Sequence, residues 1–177
     1  DPSFSQALRQ SDWLVPDGIG IVHAGRILGQ PLAERITGSD IFHGVMQQLD
    51  RTHGRVFFLG STERTLELIA ERLPRDYPNV TLAGSYSPPF KADFSDEDNA
   101  EMIAAVTSAQ PNVLWVGMTA PKQEVWIWQH QSRLPVAFAG AIGAVFDFYT
   151  GQVKRSHPLF QRLGLEWAYR RQFFFGM

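Results

Sequence analysis

Short apolar runs rich in β-branched and aromatic residues alternate along this chain with longer stretches in which apolar positions recur every three or four residues. The short runs predict strands at Arg55–Leu59, Val80–Ala83, Asn112–Val116 and Val136–Ala139, with Trp13–Val15 as a shorter candidate. Each is followed by Gly, a polar turn, or both. The intervening stretches carry helix starts: Ser39 or Asp40 caps a helix running to about His53, and Ser61 or Thr62 caps another running to about Leu73. Ser95-Asp96-Glu97-Asp98 opens a third, with Ala100, Ile103, Ala104 and Val106 as its apolar face. Pro121 suits a first helical turn and begins a fourth, Lys122 to Gln131. Two consecutive prolines make Ser85–Phe90 a rigid surface loop. Strand–turn–helix repeats of this kind predict an α/β fold, a mostly parallel sheet with helices on both faces, rather than a sandwich.

Composition narrows the chemistry. The 177 residues suit one substantial domain, and 16 Lys+Arg against 18 Asp+Glu give a net charge of -2, which argues against nucleic acid as a partner. No Cys is present, so disulfide scaffolds, thiol nucleophiles, zinc fingers and iron–sulfur clusters are excluded. The five His, at 23, 43, 53, 130 and 157, show no HxH or HxxxH spacing, and no metal site is expected from them. No apolar run reaches membrane-spanning length, since the longest, near Pro135 to Tyr149, is broken by Gly and Asp. The chain begins Asp-Pro-Ser-Phe rather than Met, without a basic and then apolar leader pattern, so an element upstream of Asp1 would not be visible.

In open parallel sheets ligands bind beyond the carboxyl ends of the strands. That rule selects four turns: Pro16–Gly20, Gly60–Glu63, Gly117–Glu124 and Gly140–Gly143. Asp17, between an apolar run and two glycines, reads either as a carboxylate projecting into a cleft, where partial desolvation makes it a general base, or as an Asp-Gly turn with local hydrogen bonds. Lys122, Gln123 and Glu124 at a helix start suit a phosphate, ribose, base or sugar, or are ordinary first-turn polar residues. The glycines at 140 and 143 permit close approach of a ligand or of another element, and Asp147 is a ligand contact or a buried cap. Asp96 and Asp98 match an Asp-x-Asp metal motif in form, but after Ser95 they read as capping carboxylates. No Walker loop, GxGxxG or GxSxG is present, so P-loop phosphoryl transfer, dinucleotide binding and α/β-hydrolase chemistry lose ground and no cofactor is expected.

Residues 152–177 differ from 1–151. Lys154, Arg155, Arg162, Arg170 and Arg171 face a single carboxylate, Glu166, up to Gln172, interleaved with Phe160, Trp167 and Tyr169 ahead of Phe173-Phe174-Phe175. Cations beside amphipathic aromatics suit an anionic membrane surface or a diphosphate, and equally an amphipathic helix packed on the domain.

These blocks together resemble the WecG/TagA/CpsF glycosyltransferases of bacterial cell-surface polysaccharide synthesis. The resemblance rests on Asp17-Gly18-Ile19-Gly20, Glu34 to Asp40, Phe57-Phe58-Leu59-Gly60, Val116-Gly117-Met118 with Pro121-Lys122-Gln123-Glu124, Gly143 to Phe148, Gly151 and Arg155, and Gly164-Leu165-Glu166-Trp167 with Tyr169-Arg170. It implies a Rossmann-like domain over 1–151 and an inverting, metal-independent transferase without cofactor. Such an enzyme moves a hexose derivative from a UDP-sugar to a polyprenyl-diphosphate-linked saccharide, in exopolysaccharide, teichoic acid or surface-antigen synthesis. It would work in the cytoplasm, peripherally at the inner face of the membrane, with homo-oligomerisation left open. By the same resemblance Asp17 is the general base, Thr37, Gln123 and Glu124 contact donor or acceptor together with Gly60, Gly117, Lys122, Gly143 and Asp147, and Arg155 lies near diphosphate. The chain departs from the family pattern in having Thr119 where Gly is usual and Arg155-Ser156-His157 where Arg-Ala-Pro is usual. A nucleotide-sugar epimerase or dehydrogenase would need the absent nicotinamide fingerprint. The other alternative is a non-catalytic nucleotide-sugar-binding or scaffold subunit of an assembly complex.

Overall fold

The computed structural model describes residues 1–30 and 35–153. They fall into two compact units: one comprises Asp1–Asp12 and Gly38–Gln152, and the described residues of the other are 13–30, 35–37 and 153. In the larger unit, helix α1 (Pro2–Arg9) is capped by the Asp1 carboxylate, which accepts from the N–H groups of Ser3 and Phe4. The smaller unit holds α2 (Ile19–Ile27). The larger unit then runs α3 (Gly38–Arg51), β1 (Arg55–Gly60), α4 (Glu63–Asp76), β2 (Thr81–Tyr86), α5 (Asp96–Ala109), β3 (Val113–Gly117), α6 (Lys122–His130), β4 (Phe138–Ala141) and α7 (Val145–Thr150).

All three strand pairings are parallel, in the order β2-β1-β3-β4. Because side chains alternate across a strand, Val56, Phe58, Val113 and Trp115 face one side, packed with Phe42 and Met46 of α3, Leu66 and Ile69 of α4, and Phe146 of α7. Phe57, Leu59, Leu114 and Val116 face the other, with Met102 and Val106 of α5 and Trp126 of α6. Helices cover both faces, as the apolar runs of β1 and β3 require. The fold is therefore α/β and Rossmann-like.

Three departures from the sequence expectations have physical causes. Trp13–Val15 forms no strand, for it ends at Pro16, which cannot donate to a ladder, and Trp13 and Leu14 stand 83% and 67% exposed. β2 takes in Ser85 and Tyr86, expected in a loop, because β1 continues alongside and pairs with them. β4 starts at Phe138 rather than Val136: the N–H of Val136 turns back to Leu134, and the N–H groups of Ala137 and Phe138 both reach the Asn112 carbonyl.

The Ser95 reading holds. Ser95 Oγ accepts from the Asp98 N–H at 3.2 Å while Asp98 Oδ2 accepts from the Ser95 N–H at 2.9 Å, a reciprocal capping box. Lys91 Nζ donates to both Asp98 oxygens at 2.9 and 2.8 Å, and that bond, ahead of the cap, holds the Asp98 carboxyl below its usual range.

Candidate active site

The strand order places a topological reversal between β1 and β3. From β1 the chain moves out to β2, then returns across β1 to β3, so helices leave these two neighbours toward opposite faces. At the carboxyl end of this pair Gly60 lies in register with Gly117. A Cβ on Gly60 would sit 2.5 Å from the Gly117 carbonyl oxygen, and its φ of 107° is open to glycine almost alone. A Cβ on Gly117 would meet the Phe146 ring at 2.5 Å. These glycines let two backbones and an aromatic ring close up beneath the site. The turn beyond is tied down by the Ser61 N–H, which donates to the Gly117 carbonyl at 2.9 Å, and by Ser87 Oγ, which donates to the Ser61 carbonyl at 2.7 Å.

Gln123, in the first turn of α6, is 5% exposed. Its Oε1 accepts from the Met118 N–H at 3.2 Å and the Gly143 N–H at 2.9 Å, joining the loop after β3 to the loop after β4. Gly143 makes this turn with φ at 50°. Gln123 Nε2 donates to Glu124 Oε1 at 2.9 Å, whereas Glu124 Oε2 is shielded from solvent and has no hydrogen-bond partner. A buried acceptor left unmatched is an expensive arrangement, and a donor from a ligand or water would relieve it.

Around this centre Lys122 lies with its ammonium 4.5 Å above the Phe94 ring centroid, donating to the Lys91 carbonyl. Asp147, in the first turn of α7, is partly buried, and its desolvation pushes the carboxyl above the usual carboxylate range. In the smaller unit Asp17 sits just ahead of α2. Its backbone carbonyl accepts from Arg35 Nε at 2.5 Å, and its carboxylate, 67% exposed, lies 3.7 Å from Arg35 Nη2. The Ile36 N–H donates to the Pro16 carbonyl at 3.2 Å, and this bond with that of Arg35 holds the Asp17 backbone against Arg35–Ile36.

The model of the glycosyl transferase WecG/TagA/CpsF family matches residues 1–171. The chain belongs to this family. Over 170 residues it is 36% identical to an N-acetylglucosaminyldiphosphoundecaprenol N-acetyl-beta-D-mannosaminyltransferase of Bacillus spizizenii, covering 96% of this chain and 64% of that protein. Over 168 residues it is 29% identical to a Staphylococcus aureus protein of the same name, covering 95% of this chain and 64% of the relative. The chain thus spans a little under two thirds of the length of these curated relatives.

Within this WecG/TagA/CpsF chain the residues singled out from sequence separate into groups. Gly60, Gly117, Gln123, Glu124 and Gly143 share the carboxyl edge of the sheet, with Lys122 beside them and Asp147 one turn beyond Gly143. Gly60 and Gly117 are buried and serve close packing of backbone. Lys122 spends its charge on a carbonyl and a ring face rather than on open space. Asp17 and Thr37 belong to the smaller unit. The Asp17 carboxylate is surrounded mostly by solvent, not sunk in an apolar cleft, because its contact with Arg35 is made at the surface. Arg155, with the basic segment, lies outside the described residues. Sequence reasoning gave no role to Arg35, whose clasp on Asp17 spans 18 positions, and took Ser61 as a candidate helix cap in a strand-end turn rather than as the partner of Ser87, 26 residues away. No local pattern marks such pairs.

Proposed function

We propose that this protein transfers an N-acetylhexosamine, N-acetylmannosamine first among candidates, from a UDP-sugar to a polyprenyl-diphosphate-linked N-acetylglucosamine. Membership of the family and the names of the two relatives support this reading. The observation that carries it is the Gln123 bridge between the loops after β3 and β4: it fixes both at the carboxyl edge, where such sheets bind nucleotides, beside a Glu124 Oε2 that has no donor.

The chemistry proposed is one inverting displacement. Asp17 takes the proton of the acceptor hydroxyl as that oxygen attacks the anomeric carbon, and the bond to the nucleoside diphosphate breaks on the opposite face. Backbone N–H groups and cations, Arg155 among them, stabilise the departing diphosphate. Glu124 and Asp147 accept hydroxyl or N–H groups of the donor, and Thr37 contacts donor or acceptor. A metal-independent route is supported by Asp98, whose oxygens are engaged by Lys91 and Ser95. Among the described residues no helix is long and apolar enough to cross a membrane. The basic, aromatic segment 152–177 is proposed to hold domain 1–151 at an anionic membrane surface, on the inner face where the acceptor is presented.

The test is incubation of the full-length protein with UDP-N-acetylmannosamine and a short-chain polyprenyl-diphosphate N-acetylglucosamine. The expected result is release of UDP with an acceptor heavier by one N-acetylhexosamine. UDP-sugar binding without transfer would instead favour the non-catalytic subunit, and neither binding nor transfer overturns both.

A further inference from the structure

Two consecutive residues in the first turn of α6 tie different loops of the carboxyl edge. Gln123 joins those after β3 and β4, whereas Lys122 reaches the loop between β2 and α5, residues 87–94. The Lys122 ammonium donates to the Lys91 carbonyl and lies 4.5 Å above the centroid of the Phe94 ring. This loop has little else to hold it. Pro88 and Pro89 bring no N–H, and among the described residues no backbone–backbone hydrogen bond of a turn or loop involves 88–94. Its ties are made by side chains: Ser87 Oγ to the Ser61 carbonyl at 2.7 Å, Lys91 Nζ to Asp98 at 2.8 Å, and Lys122 to Lys91 and Phe94.

A lysine at a helix start on this edge suits a phosphate, but its surroundings give it other work. The ammonium is directed at a carbonyl and at the face of an aromatic ring, both of the same loop. Lys91 is thereby held from two sides, its ammonium by Asp98 of α5 and its carbonyl by α6. We infer that Lys122 is a positioning residue for the donor: it fixes the loop after β2 in the form that receives the nucleoside-diphosphate sugar, without bonding the diphosphate itself. With this tie cut the loop samples many backbone conformations, and ordering it again costs free energy each time a donor binds. The penalty falls on binding rather than on the displacement at the anomeric carbon, because the proposed base, Asp17, makes no bond to this loop. This inference rests on the proposed function and gives Lys122 a role within it.

The test compares the full-length protein with Lys122→Met, Lys122→Arg and Phe94→Leu, using UDP and inorganic pyrophosphate as calorimetric probes, hydrogen exchange of the loop amides, and steady-state kinetics. Lys122→Met should speed exchange at 87–94 in the free protein, weaken UDP binding about tenfold and raise KM for the donor in step, with a much smaller fall in kcat. Pyrophosphate affinity should change far less than UDP affinity. Lys122→Arg, which restores a charged donor, should bind UDP within a few-fold of the parent. Phe94→Leu keeps the ammonium and removes the ring beneath it, so it should shift loop exchange and UDP affinity in the same direction by a few-fold. Pyrophosphate affinity that falls as far as UDP affinity in Lys122→Met overturns the inference in favour of a direct phosphate contact. UDP binding and loop exchange in Lys122→Met equal to those of a UDP-binding parent overturn it and leave the proposed function standing. A parent that binds no UDP overturns both readings.

Discussion

The side-chain carbonyl of Gln123 holds the N–H of Gly143 at 2.9 Å across 20 residues of sequence, and the same oxygen takes the N–H of Met118. One buried amide thus does the work of a missing ladder rung where β3 and β4 diverge. Gln123→Ala strands both N–H groups without solvent to replace their partner. Each buried unsatisfied group costs about 1–3 kcal/mol, so a loss of roughly 2–4 kcal/mol is expected in urea unfolding. UDP binding should weaken in parallel, since Glu124 loses its tether. Unchanged stability would mean that water enters and satisfies both groups.

Gly60 tests the close approach beneath the site. In Gly60→Ala a methyl group would press on the Gly117 carbonyl at 2.5 Å while the backbone stays at a φ of 107°. Backbone cannot yield as a flexible side chain does, and a loss of roughly 3 kcal/mol or more is expected. Gly44→Ala is the contrasting change. It lies inside α3 with nothing within 4 Å of the added Cβ, and should raise stability by about 0.5–1 kcal/mol. Thermal melts of the two variants beside the parent decide the matter.

Asp147 makes stability fall with rising pH. Burial raises its folded carboxyl above the ordinary 3.8, so between that value and the higher folded one the native state binds more protons than the unfolded chain. Its contribution is therefore most favourable at low pH and is lost as the group ionises in the fold. Asp147→Asn should flatten the stability profile through this acidic window and leave the protein more stable at neutral pH, while weakening donor binding. Urea midpoints taken from pH 4 to 7 would show the two curves converging at the acidic end, and parallel curves would sink the assignment.

The legible parts of the fold are those whose signal is local. β1 and β3 are short, nearly continuous apolar runs ending in Gly60 and Gly117, buried on both faces, and both were expected within a residue of where they lie, at Arg55–Leu59 and Asn112–Val116. Ser95 with Asp98 is a capping pair three residues apart, readable by eye. α2 was not legible, because Gly20, Gly25 and several β-branched residues argue against a helix that exists nonetheless. In the site, the turns could be ranked from strand ends, yet the roles within them could not. The sequence did not show that the Gln123 side chain bonds Gly143, or that Arg35 reaches the Asp17 carbonyl, since both pairs are distant along the chain.

Removal of divalent metal should leave activity intact. Asp98 accepts from Lys91, from the Ser95 N–H and from the Ser95 hydroxyl, so a cation entering there would have to displace an ammonium and break a cap. Turnover in excess chelator is expected to match that in manganese or magnesium, and Asp96→Asn to behave as the parent. Strict metal dependence abolished by Asp96→Asn would show that the Asp-x-Asp pair binds the donor diphosphate.

Asp17→Asn separates fold from chemistry. The side chain is 67% exposed and its ionic contact with Arg35 is 3.7 Å long, too loose and too wet to matter much to stability. What holds this segment is backbone: the Asp17 carbonyl accepts from Arg35 Nε and the Pro16 carbonyl from the Ile36 N–H, and the substitution leaves both in place. Melting temperature and UDP affinity should therefore stay near those of the parent. Turnover should fall by roughly 100-fold or more, the usual scale for losing a general base, because the amide cannot take the acceptor's proton. Asp17→Glu should recover part of the rate, since a carboxylate returns though displaced by one methylene. Steady-state kinetics at saturating donor, beside calorimetry with UDP, distinguish the outcomes. A normal kcat in Asp17→Asn would move the base elsewhere, and a lost UDP affinity with normal kcat would make Asp17 a binding residue.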